Sequence, residues 1–215
     1  MEVSVAEAAA RLGVSSRRVR QRIARGHLAA RRVGRVWVLE EAQLGRSERV
    51  ARPMSARVAW AFLDMLDGGR GEGVSQPEQS RLRKKRELLR NGDAASLLRS
   101  WLPNRADVAR YVAARADLPA LREDSRLVRS GLSDLRSGLA AAGFVEGYVS
   151  AGDLDALVNE YLLSQQGRPN VVLHVLGDRS LPDPVPLPVL LADLADHDGP
   201  RESAAVERLI KDLPA

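Results

Sequence analysis

Two short helix patterns separated by a glycine occupy the first 26 residues, and this arrangement constrains the fold most strongly. Ser4 and Glu7 have the S-x-x-E spacing of a capping box. Four apolar residues follow on one helical face, namely Val5, Ala8, Ala9 and Leu12. Gly13 ends that pattern, Ser15 can cap a second helix, and Gly26 terminates it. The spacing predicts two helices joined by a turn, which is a helix-turn-helix motif.

The second helix pattern, SSRRVRQRIARG, is apolar on one side and basic on the other. Val19 and Ile23 fall on the inner face. Arginine can bind guanine through two hydrogen bonds and glutamine can bind adenine, so the predicted base-reading residues are Arg17, Arg18 and Gln21. The predicted phosphate contacts of this helix are Arg20, Arg22 and Arg25. The alternative is a helical hairpin with a solvated charged surface.

A basic hairpin pattern follows the second helix. Segments of β-forming residues, around Arg32 and at residues 36–38, lie on either side of Gly34. They predict a two-stranded wing beside the two helices. The wing cations that can reach phosphates or an adjacent minor groove are Arg31, Arg32 and Arg35.

Charge is divided unevenly along the chain. Residues 1–110 hold 23 basic and 12 acidic side chains, a net charge of +11, whereas residues 111–215 hold 10 and 16, a net charge of −6. Such asymmetry indicates that one half meets a polyanion and the other half has a different role. Aromatic residues make up only 4% of the chain, too few for base-stacking platforms, so duplex DNA is the preferred polyanion. Three tryptophans lie in apolar patterns and are predicted core residues: Trp37, Trp60 and Trp101.

The middle of the chain is predicted to be helical. Ser55 can cap one helix, and Ser75 with Glu78 forms a second capping box that opens another. Helix patterns also cover residues 93–102 and 105–115.

Two charged or glycine-rich segments of this middle region have simple interpretations. GGRGEG, at residues 68–73, is predicted to be a flexible joint. The basic run RLRKKRELLR, at residues 81–90, is interpreted as a solvated helix face, with a contact to the DNA backbone as the alternative. The predicted apolar side of that helix consists of Leu82, Leu88 and Leu89.

The last third of the chain combines strand and helix patterns. Residues 144–150 and 170–176 are strand-like, and a helical segment between them indicates a βαβ unit. The predicted fold class is therefore α+β, mainly α, with an N-terminal winged helix-turn-helix, a helical middle and a small α/β C-terminal domain. The predicted domain bounds are residues 1–46, 53–123 and 124–215.

Catalysis is the weaker interpretation. Asp153 and Asp155 have the D-x-D spacing with which nucleotidyltransferases hold Mg²⁺, but the Gly-Ser motif of such enzymes is missing upstream. Ser150 and Asp153 also fit a helix cap. The three histidines, His27, His174 and His197, stand far apart, and His174 is interpreted as a partly buried strand residue. We predict no catalytic residue, no metal site and no cofactor.

Two resemblances extend this interpretation. SVAEAAARLGVSSRRVRQRIARGHLAARRVGRVWVLEEAQL is similar to the winged helix-turn-helix domains of the excisionase and MerR-like type, which implies DNA binding. RPMSARVAWAFLDML, VEGYVS, NVVLHVL and ADLADHDGPRESAAVERLIKDL together resemble AbiEi-type antitoxins and related regulators. That second resemblance implies autoregulation of an operon and antagonism of a nucleotidyltransferase-like toxin.

The sequence thus predicts a cytoplasmic, sequence-specific regulator that binds double-stranded DNA and represses its own operon as an antitoxin. One winged domain buries little surface, so a homodimer on an inverted repeat is expected on DNA. A cognate toxin is the expected protein partner, and no membrane contact is expected. The alternatives are an excisionase-like architectural factor that bends DNA and, less favoured, a nucleotidyltransferase-type enzyme.

Overall fold

The chain is divided into two units, residues 1–51 and 52–215, each held together mainly by its own contacts. The computed structural model describes residues 2–11, 15–24, 28, 30–34, 36–40 and 53–214. No helix within these ranges has the length and apolar character that a membrane crossing requires.

The described residues of the first unit form two helices and an antiparallel sheet. Its elements are β1 (Glu2–Ser4), α1 (Val5–Arg11), α2 (Ser16–Ala24), β2 (Arg31–Val33) and β3 (Val36–Glu40). The middle strand, β3, pairs with both β1 and β2. The backbone N–H of Ser4 donates to a carboxylate oxygen of Glu7 at 2.7 Å, and the N–H of Glu7 donates to Oγ of Ser4 at 3.2 Å. The predicted capping box at the start of α1 is confirmed.

Among the described residues, the core of the first unit draws on both helices and on strands β1 and β3. Its buried residues are Val3, Val5, Ala8, Ala9, Val19 and Leu39. Three partly buried residues pack against them: Ile23, Leu28 and Ala30. Helices α1 and α2 therefore meet strand β3 around one apolar centre.

The second unit combines a sheet with seven α-helices among its described residues. The helices are α3 (Ala56–Leu66), α4 (Gln76–Asn91), α5 (Ala94–Trp101), α6 (Leu118–Arg122), α7 (Leu154–Glu160), α8 (Leu187–Asp196) and α9 (Pro200–Leu209). The strands are β4 (Asp107–Tyr111), β5 (Val128–Arg129), β6 (Val145–Ser150) and β7 (Val171–Leu176), in the sheet order β4-β7-β6-β5. Strands β6 and β7 are parallel with α7 between them, so the predicted βαβ unit is confirmed.

Strand β6 has protein on both faces. Val145 and Val149 belong to an apolar cluster that includes residues of α6 and α7. Because successive side chains alternate in a strand, Glu146 and Tyr148 point to the other face. There the hydroxyl of Tyr148 donates a 2.8 Å hydrogen bond to Asp193 of α8. Helix α8 is largely apolar and buried, and it also contacts α3, α5 and α9.

The predicted helix over residues 105–115 is wrong, because this segment contains β4. Asp107 to Tyr111 pair antiparallel with β7. Ala109, Tyr111 and Ala113 alternate along the chain and pack on the apolar cluster of the sheet. Pairing with a strand 60 to 68 residues away thus overrides the local helix pattern. The middle region is not purely helical.

The glycine-rich segment between α3 and α4 forms hydrogen bonds with side chains of α3, while its flexibility stays a prediction. The N–H of Gly71 donates to Oδ2 of Asp64 at 2.8 Å, and Nη1 of Arg57 donates to the carbonyl of Gly73 at 2.6 Å. A Cβ at Gly71, where φ is 67°, would lie 2.8 Å from the sulfur of Met65. The second predicted capping box, Ser75 with Glu78, is present at the start of α4.

Candidate nucleic-acid interface

Helix α2 turns one side into the core of the first unit and the other side to solvent. The N–H of Val19 donates to the carbonyl of Ser15 at 3.2 Å, so α2 starts where the sequence predicts its cap. Val19 is fully buried and Ile23 is partly buried. The side chains of Arg17, Arg20 and Gln21 are exposed. Arg17 and Gln21 are four residues apart, which makes them neighbours on the surface of a helix.

The other predicted contact residues lie on α2, on the hairpin or outside the described residues. Arg18 and Arg22 belong to α2. Arg31 and Arg32 are exposed residues of β2. The remaining two, Arg25 and Arg35, lie outside the described residues. The described residues of α2 include no acidic side chain, so its charge is uncompensated within the helix.

The predicted hairpin is present. Val33 pairs with Val36, and Gly34 in the connection has a φ of 61°, a conformation that glycine adopts easily. Arg32 is paired with Trp37 across the two strands. The first unit therefore has the helix-turn-helix and the wing that the sequence predicts.

Trp37 is not a core residue as predicted, because 36% of it is exposed. Strand β1 pairs with β3 only from Glu40 to Val38. Trp37 and Val36 therefore have a neighbouring strand on one side only, which is β2. Val33 and Val36 near the turn are also exposed. An apolar wing tip is therefore a feature that the sequence interpretation missed, although the spacing of these residues from Gly34 could have indicated it.

A cluster of buried polar side chains in the second unit was also missed. Glu146 is buried, and its carboxylate accepts hydrogen bonds from Nε2 of His174 at 3.1 Å and from Nε2 of His197 at 2.7 Å. The backbone N–H of Leu132 donates to the same carboxylate at 2.9 Å. His174 is buried and not partly buried as predicted, and its Nδ1 has no partner among the described residues. The neutral Nε2–H tautomer of His174 satisfies this geometry, because it leaves only a lone pair unpaired.

The electrostatics of this cluster favour an ionised glutamate. Burial raises the pKa of Glu146, but hydrogen bonds from His174 and His197 outweigh it and lower that pKa to about 2. Burial has the opposite effect on His197 and lowers its pKa. The hydrogen bond to Glu146 and the negative charge of Glu146 outweigh burial and raise the pKa of His197 above its ordinary value. The lowered pKa of Glu146 and the raised pKa of His197 both favour an ion pair between these two side chains.

A second buried ion pair lies on the same face of the sheet. Nε of Arg105 donates to Oδ1 of Asp193 at 3.0 Å, and Nη2 of Arg105 also donates to Asp196 at 2.6 Å. The hydroxyl groups of Tyr148 and Ser130 donate to Asp193 as well. Burial lowers the pKa of Arg105, but the surrounding negative charges keep it well above the ordinary value. Hydrogen bonds thus link Arg105, Tyr148 and Ser130 to the carboxylate of Asp193.

The D-x-D segment is arranged as a helix start. Oγ of Ser150 donates to Oδ2 of Asp153 at 2.6 Å, and the N–H of Asp153 donates to Oγ of Ser150 at 3.1 Å. Asp155 lies in the first turn of α7. Among the described side chains, no group of three or more His, Asp and Glu residues is arranged to hold a metal ion.

A cavity of about 680 Å³ opens in the second unit beside β4 and the end of β7. Its lining includes Trp60, Asn104 and Arg179. The guanidinium of Arg179 lies 4.8 Å from the centre of the Trp60 ring, and Nε1 of Trp60 donates to the carbonyl of Arg105. The aromatic face on which a ligand could stack is thus covered by the chain itself.

Comparison with known proteins agrees with the geometry of the first unit. Residues 2–45 match the family described as a helix-turn-helix domain. This match supports the predicted excisionase-like domain, whereas the resemblance of the later residues to AbiEi-type antitoxins stays a prediction. No curated protein and no solved structure gives a significant match. Residues 2–45 are thus similar to helix-turn-helix domains, and the helices and hairpin of the first unit agree with that similarity.

Proposed function

We propose that this protein is a sequence-specific regulator that binds double-stranded DNA through α2 and the β2–β3 wing and represses its own operon. The observation that carries the proposal is the two-sided character of α2, with Val19 in the core and Arg17, Arg20 and Gln21 exposed. A recognition helix needs this arrangement, because its exposed side must enter the major groove while its other side stays anchored.

The contacts are proposed to divide into two kinds. Arg17, Arg18 and Gln21 read base edges in the major groove. Arg20, Arg22 and Arg25 on the helix, and Arg31, Arg32 and Arg35 on the wing, bind mainly phosphates, which fix the position of the protein on the duplex. A homodimer on an inverted repeat doubles the contact surface and supplies the selectivity that one small domain lacks.

Footprinting of the full-length protein on its own upstream region tests this proposal. The measurement is made at about physiological salt with an excess of random duplex, because phosphate contacts alone give salt-sensitive binding without selectivity. A protected inverted repeat supports autoregulation. Absence of protection at every salt concentration would mean that α2 is a solvated face.

An excisionase-like architectural role is the second candidate, and the family match of residues 2–45 is equally consistent with it. Such a protein bends DNA at a cluster of direct repeats and needs no protein partner. The arrangement of protected sites and a circular-permutation bending assay separate the two functions. Direct repeats with a strong bend favour the architectural role, and one inverted repeat with little bending favours the repressor.

For the second unit we propose a binding role without catalysis, as the protein-binding part of an antitoxin. The net charge of −6 over residues 111–215 supports a partner with a basic surface. Co-expression with the product of an adjacent gene tests the role. Rescue of growth from a toxic neighbour, and a stable complex of the two purified proteins, are the expected results. Nucleotide transfer by the purified chain, abolished in Asp153→Ala/Asp155→Ala, would instead establish an enzyme.

A further inference from the structure

Helix α4 carries the densest run of cations in the second unit. Between Arg81 and Arg90 there are six basic side chains and a single acid, Glu87. Leu82 and Leu89 are buried and anchor the helix, which packs on α5. Leu88, which the sequence assigns to the apolar side, is 57% exposed because it lies about 120° around the helix from Leu82. The side of α4 away from the core is thus open to solvent.

Three of these cations have no acidic partner in the described part of the chain. Arg81, Arg83 and Lys84 are exposed, and none forms a salt bridge with a described carboxylate. Many other arginines of this unit do pair with carboxylates, namely Arg57, Arg99, Arg105, Arg126, Arg129 and Arg136. The unit therefore pairs many of its arginines internally, whereas Arg81, Arg83 and Lys84 of α4 have no carboxylate within salt-bridge distance among the described residues.

The remaining cations of the helix, Lys85, Arg86 and Arg90, have contacts within the second unit. Nζ of Lys85 lies 3.7 Å from the centre of the Trp101 ring. Nη2 of Arg86 and Nη2 of Arg90 donate to the carbonyl of Pro214 at 2.7 Å and 3.0 Å. A carbonyl is a neutral partner, so the contacts of Arg86 and Arg90 hold these two side chains without cancelling their positive charge.

Repulsion between neighbouring cations destabilises helix α4. Arg81 and Lys84 are three residues apart, and Arg86 and Arg90 are four residues apart, so like charges are neighbours on the helix surface. A solvated helix normally mixes both signs of charge along its exposed face. The repulsion on α4 is relieved when a polyanion lies against it.

We propose that α4 is a second DNA-contacting surface, which binds the phosphate backbone of a duplex through Arg81, Arg83 and Lys84 without reading its sequence. The inference rests on the proposed DNA-binding function and adds a sequence-independent contact outside the helix-turn-helix. Each phosphate contact releases condensed counterions, so the contribution of α4 is measurable as salt dependence.

The test compares two triple variants of the full-length chain on a random-sequence duplex at several salt concentrations. Arg81→Gln/Arg83→Gln/Lys84→Gln removes three charges from α4 while keeping residues that favour helix. Arg115→Gln/Arg168→Gln/Arg201→Gln removes three exposed charges elsewhere in the unit and makes the same change in net charge. The slope of log K against log salt is negative. We expect its magnitude to fall by about two to three in the α4 variant and by less than about one in the control.

Equal changes of slope in the two variants would overturn the inference, because net charge alone would then explain them. A charge-preserving variant, Arg81→Lys/Arg83→Lys, guards against a folding artefact and should keep the wild-type slope, since phosphate binding needs only the positive charge. Loss of slope in that variant would also overturn the inference.

The duplex from the chain's own upstream region is titrated in parallel. The α4 variant should bind it more weakly than wild type but retain its preference over random DNA. If the wild-type protein shows no such preference, the proposed regulatory function fails, whereas the slopes on random DNA still decide the role of α4.

Discussion

Nε2 of His197 donates a 2.7 Å hydrogen bond to Oε2 of Glu146, a buried carboxylate 51 residues earlier in the chain. Glu146 lies on β6, and His197 directly follows α8. The bond therefore ties the central sheet of the second unit to its most apolar helix. A buried carboxylate is costly unless it is paired, so this relationship makes the stability of the unit depend on a few named side chains.

Fluorescence can follow the second unit by itself. Trp60 and Trp101 lie in this unit, and Trp37 is the only tryptophan of the first unit. In a Trp37→Phe background, the tryptophan signal during denaturation reports the unfolding of the second unit. The five stability predictions that follow use that background.

Replacing Glu146 by glutamine should lower the free energy of unfolding by about 3 kcal/mol. An amide cannot form the ion pair with His197, and its NH₂ group must face another donor. The matched control is Glu160→Gln, because Glu160 pairs with Arg126 on the surface and should contribute less than about 1 kcal/mol. Similar losses in both variants would show that burial of Glu146 is energetically unimportant.

The pH dependence of stability should follow His197 on the alkaline side. Its pKa is raised in the folded state, so its stabilising contribution is complete below about 6.5 and is lost as the pH rises through the folded pKa. The charged groups that act on it are Glu146, Asp196 and Glu202. Denaturation curves measured across this range should therefore show falling stability in wild type. His197→Gln should flatten this fall, and an unchanged fall in that variant would contradict the assignment.

At acidic pH, the pH dependence of stability should follow the titration of Glu146. Its folded pKa of about 2 lies below the ordinary value of 4.5, so its contribution is present above about 4.5 and is lost as the pH falls toward 2. Glu146→Gln should consequently remove part of the acid sensitivity of the second unit. Acid titrations of wild type and variant that run parallel would argue against this origin.

Arg105→Met should destabilise the second unit by about 3 to 5 kcal/mol, because Asp193 then stays buried without its cation. Arg129→Met is the control, since its partner Glu123 is largely exposed and the expected loss is below about 1 kcal/mol. Adding Asp193→Asn to Arg105→Met should recover part of the loss, as the neutral amide no longer needs a positive partner. A purely additive double variant would contradict a direct coupling.

Gly131→Ala should be more destabilising than Gly73→Ala. Both glycines have positive φ, 52° and 79°, so alanine pays the backbone penalty of about 1 to 2 kcal/mol at each. Only at Gly131 would the new Cβ overlap the carboxylate of Glu146, while Gly73 has open space. Thermal and urea denaturation of the two variants should differ by at least about 1 kcal/mol. Equal losses would mean that Glu146 moves aside freely.

On DNA, Arg17→Ala and Arg20→Ala should behave differently. Loss of a two-bond contact to guanine should reduce the discrimination between upstream and random DNA by about 1 to 3 kcal/mol in Arg17→Ala. Loss of a phosphate contact in Arg20→Ala should weaken both complexes alike and reduce the salt slope by about one. Competition binding at fixed salt measures both effects. The assignment of base-reading and phosphate-binding roles is wrong if the two variants give the same pattern.

Local signals in the sequence determined most of the helix starts and the first unit. The capping boxes Ser4 with Glu7 and Ser75 with Glu78 form as predicted, because their bonds join residues only three positions apart. Gly34 likewise marks the wing, since a turn is decided by a few neighbouring residues. The exposed cations of α2 follow from helical periodicity once Val19 is placed in the core.

Tertiary structure decided what depends on distant partners. Residues 107–111 form a strand because β7 is available to pair with them, and Trp37 is exposed because β1 ends before reaching it. Glu146, His174 and His197 give no local motif, yet the sheet and α8 bring them together. The physical reason is that caps and turns are fixed by contacts within one turn of chain, whereas strand pairing and buried ion pairs gain their energy only from residues that folding brings into contact.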